Sequence, residues 1–461
     1  MILDALKTET KDHIELVRGL VGDSPRRAFA VTFGCQQNEA DTEKLLGMAK
    51  AMGYNRALSA EEADLILLNT CAIREHAEVK VLSLLGRFKT LKKKNPELVI
   101  GVCGCMAAQV HIANMLKCDF HYVSFTLEPN MLHRFPEALY RYMTERKRCF
   151  ILGEDKGDLY EELPVERSSS HSAWVSVMYG CNNFCSYCIV PYVRGRERSR
   201  NSADIIRECR ELVAAGCREI TLLGQNVNSY KSDIDFADLL EKIGQIDGDF
   251  IIRFMTSHPK DVSDKLVSVM ARYTPKIAPY FHLPLQSGSD KILKLMHRTY
   301  DRERFISVAE NLRSAVPGIS VSTDVIVGFP SEEESDFLDT LDVLGRVRFD
   351  MAYAFKYSPR RGTVAASMPD AIPESEKESR LARLLELQDK ISYERSLEYV
   401  GRTERVLVDS VSKRAGYKTV DARTASNRLV HFEAGEDAVG QFRLVKIVKA
   451  EPFNLIAEEI K

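Results

Sequence analysis

Cysteine is the residue type in this sequence with the most chemical potential. Eleven cysteines are present, at positions 35, 71, 103, 105, 118, 149, 181, 185, 188, 209 and 217. In a reducing cytosol, this number indicates metal binding or catalysis rather than disulfide bonds. Four of them lie in helical or strand-like surroundings, where we expect buried and inert thiols: Cys118, Cys149, Cys209 and Cys217.

The most specific pattern is Cys181-x-x-x-Cys185-x-x-Cys188, which follows a strand-like run at 174–178. Three thiolates from one short loop can hold a four-iron cluster and leave one iron vacant. Tyr187, just before the last cysteine, could pack against whatever occupies that iron. A zinc knuckle normally pairs two Cys-x-x-Cys units, and no second pair follows. The motif therefore predicts a 4Fe-4S cluster with an open coordination position.

A second set, Cys35, Cys71 and Cys105, comes at the ends of three successive strand-like runs. The carboxyl ends of parallel strands lie along one sheet edge, so these thiols should converge in space. They would suit an iron-sulfur cluster with one open iron, or a zinc site completed by His76 or His111. Three separate core cysteines are the alternative. Cys103 alternates with Cys105 along its strand, so we expect it to point into the core.

The elements that must position the second set repeat a strand-helix pattern. Apolar runs occur at 28–33, 65–68, 98–102, 121–124 and 149–152. Helical periodicity separates them at 39–52, 74–94 and 106–116. Such alternation predicts an N-terminal doubly wound parallel sheet in an α/β fold.

The middle of the chain continues the pattern. Together with 174–178, strand-like runs at 219–223, 251–255, 280–283, 321–327 and 352–357 give six strand-helix units. They predict a partial (β/α)6 barrel, whose active residues sit at the carboxyl ends of the strands. Polar residues near those ends are candidates for cofactor binding, with loop capping as the alternative: Gln225, Asn226, Ser257, Gln286 and Asp324.

After residue 398 the pattern changes to short alternating strands, which predict a small antiparallel β-barrel. Residues 401–432 carry seven basic and three acidic side chains, a net charge of +4. Such a face predicts phosphate contacts with RNA, and a solvated surface is the alternative. Arg194, Arg196, Arg198 and Arg200 predict a second basic stripe.

Composition excludes several classes of protein. With 45% hydrophobic and 28% charged residues, the chain is neither disordered, collagen-like nor a coiled coil. The net charge of −2 argues neither for nor against nucleic acid binding. No apolar stretch approaches the roughly 18 residues of a membrane span, and charges in the first 25 residues argue against a signal peptide. We expect a soluble, cytoplasmic protein without a membrane partner.

The Cys181–Cys188 motif resembles the radical S-adenosylmethionine (SAM) superfamily. With Gly34-Cys-Gln-Gln-Asn-Glu39, Arg194-Gly-Arg-Glu-Arg-Ser-Arg200 and Asp324-Val-Ile-Val-Gly-Phe-Pro330, the chain is similar to the methylthiotransferases. Within them it most resembles the branch that modifies N6-isopentenyladenosine in tRNA, although Gln37 stands where the family often has Met. The C-terminal segment resembles a TRAM domain. The implied parts are an extension at 1–25, an auxiliary-cluster domain at 26–155, the radical SAM barrel at 168–398 and an RNA-binding domain at 399–461.

The resemblance implies two 4Fe-4S clusters, one per cysteine set, and SAM as cofactors. It implies methylthiolation of carbon 2 of the modified adenosine next to the anticodon, with no catalytic residues beyond the cluster ligands. The implied partners are the tRNA anticodon stem-loop, an electron donor such as flavodoxin or ferredoxin, and a sulfur donor, with the enzyme a monomer. Threonylcarbamoyladenosine or a ribosomal-protein aspartate is the alternative substrate. A non-catalytic iron-sulfur RNA-binding protein is the alternative class.

Overall fold

The computed structural model describes residues 2–72, 75–153, 161, 163–411 and 419–460. The chain forms two compact units. The first comprises Met1–Ser168, Met178–Asn183 and Cys188–Arg198, and the second comprises Ser169–Val177, Phe184–Tyr187 and Ser199–Lys461. Among the described residues, no helix has the length and apolar character needed to cross a bilayer.

The first unit is built on a six-stranded parallel sheet of order β2-β1-β3-β4-β5-β6. Its strands are β1 (Arg27–Thr32), β2 (Asn55–Arg56), β3 (Leu65–Thr70), β4 (Val99–Gly104), β5 (Phe125–Leu127) and β6 (Cys149–Ile151). Its helices are α1 (Ile2–Val21), α2 (Gln36–Ala51), α3 (Glu75–Lys94), α4 (Val110–Cys118) and α5 (Phe135–Glu145). Short 3-10 helices lie at Ala60–Glu62 and Pro129–Arg134.

Both faces of this sheet are covered, which confirms the doubly wound architecture. Every residue of β3 and β4 is buried, as expected for central parallel strands. Along β3 the side chains alternate, because Leu65 and Leu67 join one apolar cluster while Ile66 and Leu68 join the other. The continuous Leu-rich run in the sequence therefore reflects two cores.

Two predictions for this unit differ from the structure. Residues 121–124 are not a strand, because Val123 N donates to Phe120 O and closes a turn; the strand begins at Phe125. Helix α4 begins at Val110 rather than at 106. The extension at 1–25 had no predicted structure, yet α1 packs on α5 with Val17 in the core.

Short elements connect the sheet to the middle of the chain: β7 (Ser172–Ser176), β8 (Met178–Tyr179), α6 (Val190–Arg194) and β9 (Arg198–Ser199). The barrel continues with strands β10 (Glu219–Leu223), β11 (Ile251–Phe254), β12 (Tyr280–His282), β13 (Ser320–Val327) and β14 (Met351–Lys356). Its helices are α7 (Ser202–Ala214), α8 (Phe236–Gly244), α9 (Asp264–Tyr273), α10 (Asp290–Leu295), α11 (Arg302–Ala315) and α12 (Glu334–Val347). Short 3-10 helices lie at Val227–Ser229, Pro259–Asp261 and Ala365–Ser367.

The six parallel strands of this region confirm the predicted partial barrel. They form two three-stranded sheets of order β11-β10-β7 and β12-β13-β14. Hydrogen bonds from Ile252 N to Lys276 O (2.8 Å) and from Ala278 N to Ile252 O (2.9 Å) join β11 to the segment before β12. The sheet is therefore continuous from β7 to β14, and β7 and β14 form its two edges.

The long helix α13 (Glu374–Leu397) leads into a closed five-stranded barrel of order β15-β16-β17-β19-β18. Its strands are β15 (Thr403–Val411), β16 (Thr419–Thr424), β17 (Leu429–Glu433), β18 (Phe442–Ala450) and β19 (Asn454–Glu459), with a 3-10 helix at Glu436–Ala438. The pairing is antiparallel as predicted, except that β17 and β19 run parallel. A core of small β-branched and aliphatic side chains fills its interior.

Candidate functional site

The three cysteines of the N-terminal sheet follow the carboxyl ends of the neighbouring strands β1, β3 and β4. The amide of Cys105 donates to Thr70 O at 2.9 Å, which extends the ladder beside β3. A Cβ atom on Gly34 would lie 3.0 Å from Cys71 Cβ, so the turn that carries Cys35 rests against Cys71. The structure thus brings Cys35, Cys71 and Cys105 together at one edge of the sheet.

Burial controls the protonation of Cys105. It raises the pKa of Cys105 to about 12, to which Cys71 and Cys35 also contribute upward shifts while Arg194 opposes them. Three thiols that influence one another lie within electrostatic range. Buried thiols become thiolates when a metal replaces the proton, and thiolates are the protein ligands of iron-sulfur clusters. The donor set therefore fits a cluster with one open iron.

A polar shell holds this edge in place. Cys35 caps the N-terminus of α2 and donates from Sγ to Asn38 Oδ1 at 3.4 Å. Asn38 Nδ2 in turn donates to Thr70 O at 2.9 Å. The buried Arg194 donates from Nε to Cys105 Sγ at 3.1 Å and from Nη2 to Asp41 Oδ2 at 3.0 Å. These contacts orient two of the three sulfurs.

Gln37, the departure from the family pattern, belongs to the same shell. Its Nε2 donates to Asp41 Oδ1 at 3.1 Å, while the other carboxylate oxygen of Asp41 accepts from Arg194. The side chain therefore orients the carboxylate that balances Arg194, a role that a methionine lacks.

The zinc alternative finds no support in the described part of the chain. There, no three His, Cys, Asp or Glu side chains are arranged to hold a single metal ion. His111 accordingly does not complete a site with the cysteines, and the side chain of His76 lies outside the described residues. The sulfur ligands of a four-iron cluster lie farther apart than the ligands of a single zinc ion. The absence of a single-ion arrangement among the described residues therefore argues against zinc and does not argue against a cluster.

The cysteines of the spaced motif are divided between the two compact units. Cys181 and Cys188 belong to the first unit and Cys185 to the second. Cys181 and Cys185 are buried, and Cys188 is half-buried. Gly180 has a φ of 73°, and a Cβ there would lie 2.0 Å from Arg196 O, so the turn before the first cysteine requires glycine. In the second unit, Cys185 Sγ accepts a hydrogen bond from Arg298.

Three polar candidates follow β10 and β11. Asn226 is buried and donates from Nδ2 to Asp261 Oδ2 at 2.8 Å. Its Oδ1 is buried without a hydrogen-bond partner among the described residues, an acceptor that fits a bound cofactor. Gln225 precedes it and is half-buried. Ser257 donates to the carbonyl of His282 on the next strand.

Two further candidates are connected across β12 and β13. The backbone N–H of Gln286 donates to Asp324 O at 2.8 Å, which extends the strand pairing past β12. Asp324 lies inside β13 rather than past its end, and its Oδ2 is 3.2 Å from His282 Nε2. Tyr187 is half-buried against the apolar cluster that contains Met296. His282, near the end of the strand-like run 280–283, was not among the predicted site residues.

The edge strand β14 carries two exposed aromatic side chains on the face that it shares with Asp324 of β13. Tyr353 and Phe355 are 46% and 43% exposed, and they are in register with Asp324 and Ile326. Tyr353 pairs with Asp324 across the strands, and its ring centroid lies 6.1 Å from that of His282. Two half-exposed rings spaced by two residues form a flat apolar surface beside a carboxylate and an imidazole.

The predicted basic stripe at 194–200 is wrong. Arg194 is buried against Asp41, and the buried Arg200 donates to Ser176 O and pairs with Glu208 at 2.9 Å. Arg198 donates to Asn130 Oδ1 at 2.7 Å. Arg194, Arg198 and Arg200 are therefore used for internal structure, and only Arg196 of the four is exposed.

On the predicted basic face of the C-terminal barrel, part of the positive charge is paired. Three of its arginines form ion pairs with carboxylates: Arg405 with Asp249, Arg423 with Asp409, and Arg428 with Asp350. Lys413, Arg414 and Lys418 lie outside the described residues. Asp249 and Asp350 lie far away in the sequence, so a local charge count could not include their ion pairs.

The remaining cysteines follow the prediction with one correction. Cys149, Cys209 and Cys217 are buried, but Cys118 is exposed at the end of α4. It is the last residue of α4, whose buried side chains are Ile112, Ala113 and Leu116. Cys103 is fully buried in the apolar core, as its alternation with Cys105 predicted.

Comparison with known proteins gives matches along the whole chain. The radical SAM superfamily model matches residues 175–344, and that of the uncharacterized protein family UPF0004 matches residues 27–125. The tRNA-2-methylthio-N(6)-dimethylallyladenosine synthase of a Thermoanaerobacter species is 48% identical over 434 residues, 93% of this chain and 92% of that protein. The synthase of the same name from Clostridium perfringens is 47% identical, covering 96% of this chain and 100% of that protein.

A solved structure shares the fold. The radical S-adenosylmethionine methyltransferase TsrM from Kitasatospora setae, with cobalamin and a 4Fe-4S cluster bound, superposes with a TM-score of 0.55 over 74% of this chain and 77% of that chain. The sequences are 12% identical, so this likeness concerns the fold alone. The close sequence relatives decide the family: the chain belongs to the tRNA-2-methylthio-N(6)-dimethylallyladenosine synthases, a branch of the radical SAM methylthiotransferases.

Proposed function

We propose that this protein adds a methylthio group to carbon 2 of N6-isopentenyladenosine beside the anticodon of tRNA. The observation that carries the proposal is the convergence of Cys35, Cys71 and Cys105 at one sheet edge, in addition to the Cys181–Cys188 motif. One cysteine triad is sufficient for an ordinary radical SAM enzyme. A second triad that can hold another cluster is what the insertion of sulfur demands.

In this proposal, each triad binds one 4Fe-4S cluster through three thiolates. SAM binds the open iron of the cluster held by Cys181, Cys185 and Cys188. The bound cluster and SAM supply a carbon-centred radical that can take hydrogen from an unreactive C–H bond. The protein contributes binding and orientation, and we assign that task around SAM to Tyr187, Gln225, Asn226, Ser257, Gln286 and Asp324.

The buried Oδ1 of Asn226 supports this assignment, since an acceptor without a partner is costly unless a ligand donor satisfies it. Asp324 supports it as well, because its carboxylate faces the barrel interior and is held by His282. These groups are acceptors, and the amino and hydroxyl groups of SAM are donors.

The aromatic pair on β14 supports an RNA substrate. Proteins that act on a nucleobase stack the extruded base on aromatic rings. Tyr353 and Phe355 provide such rings, and Arg423 lies within electrostatic range of Tyr353, where it opposes the rise in the pKa of the phenol that burial causes. We therefore place the target adenosine on this pair and assign the grip on the anticodon arm to the C-terminal barrel.

Other parts of the proposal follow from the chemistry of the relatives. An electron donor such as flavodoxin or ferredoxin reduces the cluster, and a separate donor supplies sulfur. The protein works as a monomer in the cytoplasm, where its tRNA substrate is found. The names of the relatives favour isopentenyladenosine over threonylcarbamoyladenosine or a ribosomal-protein aspartate.

Two measurements test the proposal. The anaerobically reconstituted protein should contain about eight iron atoms per chain, two cubanes, rather than about four. A strain that lacks the gene should lose 2-methylthio-N6-isopentenyladenosine from its tRNA, as read by nucleoside mass spectrometry, and plasmid expression should restore it. Loss of only the threonylcarbamoyl nucleoside would overturn the choice of substrate. About eight irons without any 5′-deoxyadenosine from SAM would favour a non-catalytic RNA-binding protein.

A further inference from the structure

A buried guanidinium lies next to the central cysteine of the spaced motif. Arg298 follows α10 and donates from Nη1 to Cys185 Sγ at 3.4 Å. Its Nη2 donates to Pro284 O at 3.0 Å, and its Nε donates to the hydroxyl of Tyr300 at 2.9 Å. All three nitrogens of the group are thereby held, so the N–H that points at the sulfur has a fixed direction.

The charge of this guanidinium has no carboxylate partner. Among the residues that the structure describes, no aspartate or glutamate forms an ion pair with Arg298. A guanidinium is protonated at all pH values that proteins tolerate, so the group stays charged. A buried cation without an anion is costly. An anion is therefore expected beside it, and a cluster on three thiolates would be one.

The N-terminal triad offers an instructive contrast. Arg194 also donates to a cysteine sulfur, that of Cys105, at 3.1 Å. There the charge is neutralised by Asp41, whose carboxylate lies 3.0 Å from Nη2. Each triad thus has a buried arginine on one of its sulfurs. The charge of Arg194 is balanced by Asp41, whereas that of Arg298 has no carboxylate partner among the described residues.

We propose that Arg298 is a positioning residue that raises the reduction potential of the cluster bound by Cys185. This inference rests on the proposed function, since it requires a cluster on that cysteine. Potentials of iron-sulfur clusters depend on net charge, hydrogen bonds to sulfur and solvent exposure. Arg298 acts through the first two.

The electron count fixes the direction of the effect. The external donor gives one electron, no covalent bond forms or breaks in that step, and the cluster becomes more negative by one charge. A fixed cation and an N–H···S hydrogen bond stabilise the more negative form. Removal of the guanidinium therefore makes the cluster harder to reduce, and its midpoint potential shifts to a more negative value.

The test uses full-length protein in which Cys35, Cys71 and Cys105 are changed to Ala, so that a single cluster remains. In this background, the midpoint potential is measured by titration with dithionite and redox dyes, with the reduced cluster followed by electron paramagnetic resonance. Arg298→Met should shift the potential to a more negative value at unchanged iron content. Arg298→Lys retains the charge, so its potential should stay close to that of the parent protein.

The matched control is Arg253→Met in the same background. Arg253 is another buried arginine of the barrel, but its Nε pairs with Glu219 at 2.6 Å and it contacts no thiol. The variant Arg253→Met should leave the potential unchanged.

If Arg298→Met does not retain the cluster, Arg298→Gln and Tyr300→Phe are measured instead. Tyr300→Phe removes the acceptor of Arg298 Nε, so we expect a smaller shift of the same sign.

The outcomes separate this inference from the proposed function. Failure of the triple-alanine background to bind about four irons would contradict the proposed ligand set itself. If Arg298→Met and Arg298→Gln bind the cluster and have the same potential as the parent protein, the role of Arg298 is overturned. Equal negative shifts for Arg298→Lys, Arg298→Met and Arg253→Met would show a general disturbance of the barrel. This result would also overturn the role of Arg298.

Discussion

Arg428 of the C-terminal barrel places its Nη2 2.6 Å from Oδ1 of Asp350, a buried carboxylate at the start of β14. The same carboxylate accepts from Arg313 Nη2 at 3.1 Å and from Arg395 Nε at 3.2 Å. Asp350 thus forms ion pairs with three arginines, one each from α11, α13 and the C-terminal barrel. The contact joins the last strand of the radical SAM barrel to the domain that we assign to RNA binding.

We predict that Asp350→Asn lowers the free energy of unfolding of the protein by about 3–5 kcal/mol, because it leaves buried arginine charges without their counter-ion. The measurement is chemical denaturation followed by circular dichroism. The matched control is Asp249→Asn, which breaks another ion pair with the C-terminal barrel, Asp249 with Arg405 at 2.6 Å. Both side chains of that pair are exposed, so the expected cost is only about 0–1 kcal/mol. Equal costs for the two variants would contradict the argument.

The same site predicts a dependence of stability on pH. Burial raises the pKa of Asp350, but Arg428, Arg395 and Arg313 outweigh it and hold the pKa below its ordinary value. A carboxyl with a depressed folded pKa contributes stability above its unfolded pKa, and this contribution is lost as pH falls through the folded pKa. The wild-type unfolding free energy should therefore fall below about pH 4, and Asp350→Asn should show a shallower fall.

The sequence predicted the elements and the cysteine sites better than it predicted the charges. Strand and helix periods are local, so the sheet, the six strand-helix units and the small barrel followed from them. The phase of Cys35, Cys71 and Cys105 relative to the strands predicted their convergence. Ion pairs are not local: Arg428 meets a carboxylate 78 residues away, and Arg298 meets a thiol 113 residues away. Counting charges in the window 401–432 assigned Arg428 to RNA, although it is paired inside the protein.

Two cysteines on one strand provide a test of the auxiliary site. Cys105→Ala should halve the iron content and abolish methylthio transfer, while SAM cleavage at the other triad continues. Cys103→Ala should retain both clusters and full product, because Cys103 lies in the apolar core and loses only packing. Iron analysis and nucleoside mass spectrometry give the two readouts. Full product from Cys105→Ala, or loss of iron from Cys103→Ala, would contradict the assigned ligands.

Arg194 provides a test of the shell around that site. Arg194→Ala removes the hydrogen bond to Cys105 Sγ and leaves Asp41 buried without its cation. We expect the N-terminal cluster to be lost faster to a chelator, while the cluster of Cys185 keeps its iron. Arg196→Ala is the control, since that side chain is exposed in the same motif. The absorbance of the clusters during chelation gives the rates, and equal rates for the two variants would remove the role of Arg194.

The aromatic pair on β14 gives the last prediction. Stacking of a base on an aromatic side chain contributes about 1–3 kcal/mol, so Tyr353→Ala and Phe355→Ala should each raise KM for tRNA by about 5- to 150-fold. Formation of 5′-deoxyadenosine from SAM without tRNA should be unchanged, because the rings are assigned to the base. Tyr353→Phe should behave almost as the wild type, since a phenyl ring stacks as well.

The control for this pair is Tyr393→Ala, which removes an exposed ring from the outer helix α13. It should leave KM for tRNA unchanged, because Tyr393 does not belong to the face of β14 that carries the pair. If Tyr353→Ala and Phe355→Ala lower SAM cleavage without tRNA as strongly as they lower tRNA turnover, the rings support the cofactor, and the adenosine must bind elsewhere. If the variants differ from wild type in neither rate, the exposed pair has no part in the reaction, and the interior surface between Asp324 and His282 remains the place to search for contacts with the base.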